Sequence, residues 1–234
     1  MATTDLLGQV LDGQGWYCIV GLKSGTPKQE FVATLEEASD SIDILLKQNY
    51  DVYFACAKYE TEGKRTQDNV KSLKAFWLDI DCGIGKPYAD QAEGMNALYQ
   101  FCETLSLPIP TIVDSGRGIH VYWALTEAVD KASWKPVAER LKQLCTEHKF
   151  EADPAVTSDV ARILRVPETF NFKSNPPLAV SIIHSADSIT YEDFKKVVGV
   201  ILAPPEGFNF PRTPNALTMS LMGNKESKFY TIIE

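Results

Sequence analysis

Hydrophobic and polar positions along this chain switch repeatedly between a strand-like period and a helix-like one, with no internal repeat. The apolar run from Trp16 to Leu22 reads as a strand. Thr34 then opens a helical pattern with Glu37 three residues on, the pairing of a capping box, and this helix is expected to run to Asn49. Val52 to Lys58 reads as a second strand, and a polar loop from Glu60 to Asn69 leads into the apolar run Ala75-Phe-Trp-Leu-Asp-Ile-Asp81. A helix is expected from Ala89 to Leu105, with Met95, Leu98, Cys102 and Leu105 forming a core stripe on one face. Thr111 to Leu125 reads as two short strands around a glycine-bearing turn. The helix that follows, Lys131 to Lys149, contains Pro136, which a helix accepts only near its first turn. A strand at Leu178 to Ile183 and a helix capped by Thr190 with Asp193 complete the pattern. Beyond Ala203 the chain is rich in proline and polar residues and reads as a linker, the end of an N-terminal domain within something longer.

Strands alternating with helices predict an α/β protein, and 234 residues are enough to bury a sizeable core. Neither a signal peptide nor an apolar run long enough to cross a bilayer is found, so a cytoplasmic protein is expected. The five cysteines stand singly in apolar stretches, without a Cys-x-x-Cys pair, and read as buried free thiols rather than a zinc knuckle or a disulfide framework. A formal charge of −8 argues against a protein that coats nucleic acid through a general basic surface. Any such contact must be local, and Lys58, Lys64, Arg65, Lys71 and Lys74 form one candidate patch.

Three segments carry chemistry. Asp79 and Asp81 are two apart on a strand, so both carboxylates leave the same face while Ile80 points the other way. Like charges side by side repel, and hard divalent cations such as Mg²⁺ or Mn²⁺ are bound by oxygen ligands of this kind. A solvated strand end is the plain alternative. In the turn Ser115-Gly-Arg-Gly-Ile-His120, Gly116 and Gly118 can bring backbone N–H groups together into an anion-binding nest. Ser115 adds a hydroxyl and His120 can face the same loop, although an ordinary hairpin with a half-buried histidine would look the same. Finally, Asp153 precedes Arg162, Arg165 and Lys173, cations set among Ile163, Leu164 and Val166. Cations in apolar surroundings need anions, and a polyphosphate would serve; so would an ion pair of Arg162 with Asp153 or Asp159.

Taken in order, Asp79-Ile-Asp81, Ser115-Gly-Arg-Gly-Ile-His120, and Asp153 followed by Arg162-Ile-Leu-Arg-Val-Pro-Glu-Thr-Phe-Asn-Phe-Lys173 resemble the archaeo-eukaryotic primase superfamily, in its phage and plasmid primase-polymerase branch. The resemblance runs from Trp16 to Ile183. It implies an α/β (α+β) fold with an RNA-recognition-type core sheet over about 73–203, flanked by helices and fused to a smaller N-terminal β-α-β unit over about 1–72, with 204–234 as a tail. It implies that Asp79, Asp81 and Asp153 are catalytic and hold two divalent metal ions, Mg²⁺ or Mn²⁺, with Asp159 competing for the third place. Ser115, Gly116, Arg117, Gly118 and His120, with Arg162, Arg165 and Lys173, are then expected at the incoming nucleotide. Glu168 stands where many relatives have glycine before Thr169.

The implied activity is template-directed nucleotidyl transfer, as a DNA primase, a DNA polymerase or both. The implied partners are nucleoside triphosphates, a single-stranded DNA template and a primer, with a fused or associated helicase. A monomeric domain is expected, in the cytosol of a bacterial or archaeal host of a phage or plasmid. Two other classes compete. A metal-dependent nuclease or replication initiator would also use carboxylates on strands, although His120, His148 and His184 are too scattered for a paired-histidine site. A non-catalytic single-strand-binding module would stack bases on Phe76, Trp77, Tyr122 and Trp123, which alternate with apolar residues as core does.

Overall fold

A computed structural model describes residues 3–11, 13–24 and 27–199, so the tail expected over 204–234 lies outside the described residues. The chain opens with α1 (Thr3–Leu11), a helix the sequence pattern did not announce, which buries Leu6, Leu7, Val10 and Leu11. Next come β1 (Tyr17–Leu22), β2 (Lys28–Val32), α2 (Leu35–Lys47) and β3 (Asp51–Ala55). The capping box at α2 forms as expected: Glu37 N–H donates to Thr34 Oγ1 at 3.1 Å and Thr34 N–H to Glu37 Oε2 at 3.2 Å.

At Cys56 and Ala57 the apolar run expected over 52–58 changes sheets, and its end becomes β4 (Lys58–Tyr59). The long strand β5 (Val70–Asp81) carries the aspartate pair at its C-terminal end. It is followed by α3 (Gln91–Leu105), β6 (Thr111–Asp114), β7 (Gly118–Val129), α4 (Lys131–Glu147) and the single turn α5 (Pro154–Thr157). Short strands β8 (Ile163–Arg165), β9 (Phe170–Asn171), β10 (Leu178–Ala179) and β11 (Ser181–His184) lead to α6 (Tyr191–Val197). Pro136 sits past the first turn of α4, where it removes the bond a helix would make back to Ala132.

Two antiparallel sheets result. One is ordered β2-β1-β3-β8 and the other β11-β6-β7-β5-β4, while β9 and β10 form a separate two-stranded ribbon. The expected α/β architecture, a core sheet flanked by helices, is therefore what the chain builds, with its ladders antiparallel. The N-terminal unit is not made from N-terminal residues alone, because its edge strand β8 comes from the basic segment, with Tyr53 opposite Arg165 and Phe54 opposite Leu164. The strand expected over 178–183 breaks at Val180, whose N–H and C=O bond to Thr169 O and Glu168 N–H; β10 then pairs with β9, and β11 with β6.

Aromatic side chains cover both faces of the core sheet, Phe76 and Trp123 on one and Trp77 and Tyr122 on the other. Phe76, Trp77, Tyr122 and Trp123 are all buried, Phe76 stacks on Phe194 at 4.5 Å and on Trp134 at 5.5 Å, and the indole N–H groups of Trp77 and Trp134 reach Val156 O and Ala75 O. Each such ring contributes about 1.5–3 kcal/mol by leaving water, which holds the long β5–β7 pair against what packs on either face, Phe54 of β3 among it beside Tyr122. All five cysteines are buried and free. Among the described residues no helix is long and apolar enough to cross a membrane.

Candidate active site

Strand register builds the floor of a cleft of about 780 Å³. On β5 and β7, Asp79 lies opposite His120 and Asp81 opposite Gly118, so the alternation that sends Asp79 and Asp81 to one face sends His120 to the same place. Burial, then the neighbouring Asp81, pushes the Asp79 carboxyl up to about 6, with Asp153 adding to the rise and Arg162 opposing it. His120 is driven the other way, down to about 3, by burial and then by Arg165 and Arg162, so its imidazole is neutral near neutral pH. Its Nε2 is 3.8 Å from Asp79 Oδ1, and its buried Nδ1 has no hydrogen-bond partner among the described residues. Arg162 Nη2 stands 3.9 Å from Asp79 Oδ2, and Lys86 Nζ holds Asp81 Oδ2 at 2.7 Å.

Asp153 is brought beside β5 by its backbone N–H, which donates to Asp79 O at 2.8 Å. Its carboxylate caps α5 through Ala155 N–H. Asp159 caps its own turn through Ala161 N–H, and its charge acts on Cys56 and Tyr59. Among the described residues no three His, Cys, Asp or Glu side chains close into a ready-made metal cage. The oxygen donors and the strained ionisation of Asp79 fit a hard divalent cation all the same, since Mg²⁺ is commonly held by one or two carboxylates together with substrate phosphates.

The glycine turn differs from an anion nest. Ser115 N–H donates to Gly118 O at 3.0 Å and Gly116 N–H to Asp114 Oδ1 at 2.6 Å, so these amides are committed within the protein. Gly116, at φ +88°, packs against Asn171 and Leu178, and a Cβ on Gly118 would stand 2.4 Å from Ile80 O. Close packing, not phosphate approach, therefore requires both glycines. The turn presents side chains instead: Ser115, Arg117 and His120 line the cleft with Gly118, while Gly116 and Asp153 do not.

The basic segment supplies the opposite wall. Arg162, Arg165 and Lys173 all line the cleft. Arg165 is buried, pairs with Asp51 at 2.6 Å and lies 4.8 Å over the ring of Tyr53. Arg117 is turned onto the neighbouring ribbon, donating to Ser174 Oγ at 2.8 Å and to Lys173 O at 2.6 Å.

No family model matches the chain. A curated replication protein from Clostridium perfringens is 33% identical over 113 residues, which are 47% of this chain and 27% of the relative, so the chain spans little more than a quarter of that protein. Among solved structures, the AEP domain of the cyanophage S-2L primase-polymerase matches 79% of this chain and 89% of its own length at a TM-score of 0.58 and 16% identity. This chain has the archaeo-eukaryotic primase fold. The primase RepB′ gives the same result over 84% of this chain and 59% of its own, with a TM-score of 0.55 and 16% identity. Its catalytic domain, solved with initiator DNA, covers 85% and 92% at a TM-score of 0.52 and 15% identity.

Within this primase fold, several cleft residues escaped the sequence reading. Tyr53, Lys86, Gln91 and Asn171 line the cleft, and Asp51 stands behind Arg165. Lys86, five residues beyond the acid pair, was open to discovery as their nearest cation; nothing local links Asp51 to an arginine 114 residues away. The basic patch expected before β5 does not form as one. Lys58 is buried over the ring of Tyr17, Arg65 donates to Ala161 O, and Lys71 pairs with Glu60 at 3.3 Å.

Proposed function

We propose that the chain catalyses template-directed nucleotidyl transfer, as a DNA primase, a DNA polymerase or both. The observation that carries this reading is the cleft itself: two carboxylates on one strand face, a neutral buried histidine opposite them, and three cations on the facing wall, within a primase fold. The initiator DNA on the RepB′ catalytic domain supports a nucleic-acid strand as the second substrate.

Two divalent cations, Mg²⁺ or Mn²⁺, held by Asp79, Asp81 and Asp153 would supply activation of a 3′-hydroxyl and neutralise charge on the departing pyrophosphate. Asp79 must be ionised to take part, which its burial and then its position beside Asp81 resist and a cation favours. His120, being neutral, binds a phosphate oxygen by donating one N–H rather than by charge. Its Nδ1, without a partner among the described residues, can donate to such an oxygen in the tautomer that places the proton there. Arg162, Arg165 and Lys173 offset the triphosphate charge, the guanidinium forks with directional pairs and the lysine as a point charge. Ser115 adds a hydroxyl on the turn side.

The competing classes have less to stand on. The aromatics that would stack bases are core, and His148 and His184 do not line the cleft with His120. The test is incorporation of labelled nucleotide on a single-stranded template with Mn²⁺ or Mg²⁺, with and without a primer. Metal-dependent product that disappears in Asp79→Ala is expected; no incorporation under either condition by folded protein overturns the proposal.

A further inference from the structure

Asp51 opens β3 and does not line the cleft, yet one of its carboxylate oxygens organises the cleft's basic wall. Asp51 Oδ1 accepts from Arg165 Nη1 at 2.6 Å and from Phe172 N–H at 2.9 Å. The first bond, with the Tyr53 ring 4.8 Å beneath the guanidinium, fixes the plane of Arg165; the second fixes the backbone immediately before Lys173. Both cations line the cleft. Asp51 and Arg165 are only 8% and 4% exposed. Burying such a pair strips both charges of water, and apolar residues of the same volume would often hold the two strands as well or better. What the pair adds over an apolar contact is orientation. One Nη1 hydrogen bond uses one of five guanidinium donors, so the fork keeps donors for an anion while losing its freedom to swing.

We infer that Asp51 is a positioning residue for triphosphate binding, acting through Arg165 and the Phe172–Lys173 backbone. The inference rests on the functional reading above. It has a signature that charge alone cannot imitate. Removing a negative charge near a polyanion site should tighten triphosphate binding if only electrostatics matter, and should weaken it if Asp51 sets geometry.

The experiment compares the unsubstituted protein with Asp51→Asn, Asp51→Glu, Arg165→Ala and the Asp51→Asn/Arg165→Ala double variant. Measured are KM and kcat for nucleotide incorporation, triphosphate-induced thermal shift with Mn²⁺, and binding of single-stranded template, with circular dichroism as the check on fold. Asp51→Asn should raise KM for the triphosphate about tenfold with kcat within about twofold, leave template binding unchanged, and raise KM clearly less once Arg165 is already alanine, the remainder being the share carried by the Phe172–Lys173 backbone. Asp51→Glu keeps the charge and moves the carboxylate by one methylene, so KM should rise there too; this variant decides the matter if Asp51→Asn does not fold. Equal or tighter triphosphate binding in folded Asp51→Asn, or an effect that simply adds to that of Arg165→Ala, overturns the inference. If the unsubstituted protein itself shows no triphosphate-dependent shift, the functional reading falls and takes the inference with it.

Discussion

Asp79 shows how a single side chain can be expensive to the fold and useful to the site. Its carboxyl titrates near 6 in the folded protein against 3.8 ordinarily, so between those values the folded state holds a proton that the unfolded chain has released. Stability from this group is therefore fully present below about pH 4 and is lost as pH rises through 6. Asp79→Asn should unfold at higher denaturant than the parent at about pH 8, by about 1–3 kcal/mol, and the difference should vanish near about pH 4. Urea melts at the two pH values check this, and added Mg²⁺ should shrink the gap at the higher one. The same variant should have no nucleotide incorporation. The acid pair was legible in the sequence because strand alternation needs only neighbouring residues. The fate of the glycine turn was not, because Asp114 claims the Gly116 amide only once the turn's conformation is set.

At the scale of elements, two local conformations make sharp demands. Gly118 pairs with Asp81 at the end of β5, and Gly118→Ala would push a methyl against Ile80 O, so a loss of about 2–4 kcal/mol and of activity together is expected in denaturation and incorporation assays. Glu168 adopts φ +61°, the left-handed region, which glycine enters at less cost than any residue with a side chain. Its carboxylate accepts from Thr3 N–H at 3.1 Å and Thr3 Oγ1 at 2.9 Å, tying α1 to the basic segment. Glu168→Gly gains about 1 kcal/mol of backbone relief and loses that tie, so its stability should stay within about 1 kcal/mol of the parent, whereas Glu168→Val should fall below it. Chemical denaturation of the pair distinguishes them. Helices with caps were readable in advance, α2 to within a few residues at each end and α6 at its Thr190 cap. Strands β2 and β8 were not, since Lys28–Val32 is mostly polar and a three-residue strand has too few positions to show a period.

For the molecule as a whole, a nucleoside triphosphate that binds only the folded protein should raise its melting temperature in the presence of metal, equivalent to about 2.7 kcal/mol at a hundredfold excess over Kd. A nucleoside should do so far less, and His120→Ala and Arg165→Ala should each weaken the shift without affecting template binding; equal shifts in the parent and both variants would make these residues structural only. Fold class and the order of the chemical segments were legible because each rests on short-range pattern. The assembly of the two sheets was not, because it depends on a strand pairing between residues far apart in the chain. That pairing has a consequence for how the protein is made. Until Leu164 emerges to meet Phe54, the apolar strand β3 has one open edge, and at about 5–20 residues per second the ribosome leaves it so for roughly 5–20 s. During that interval the nascent chain is a sticky half-sheet without its cleft, and chaperone capture or aggregation on the ribosome should concentrate in chains arrested between β3 and β8.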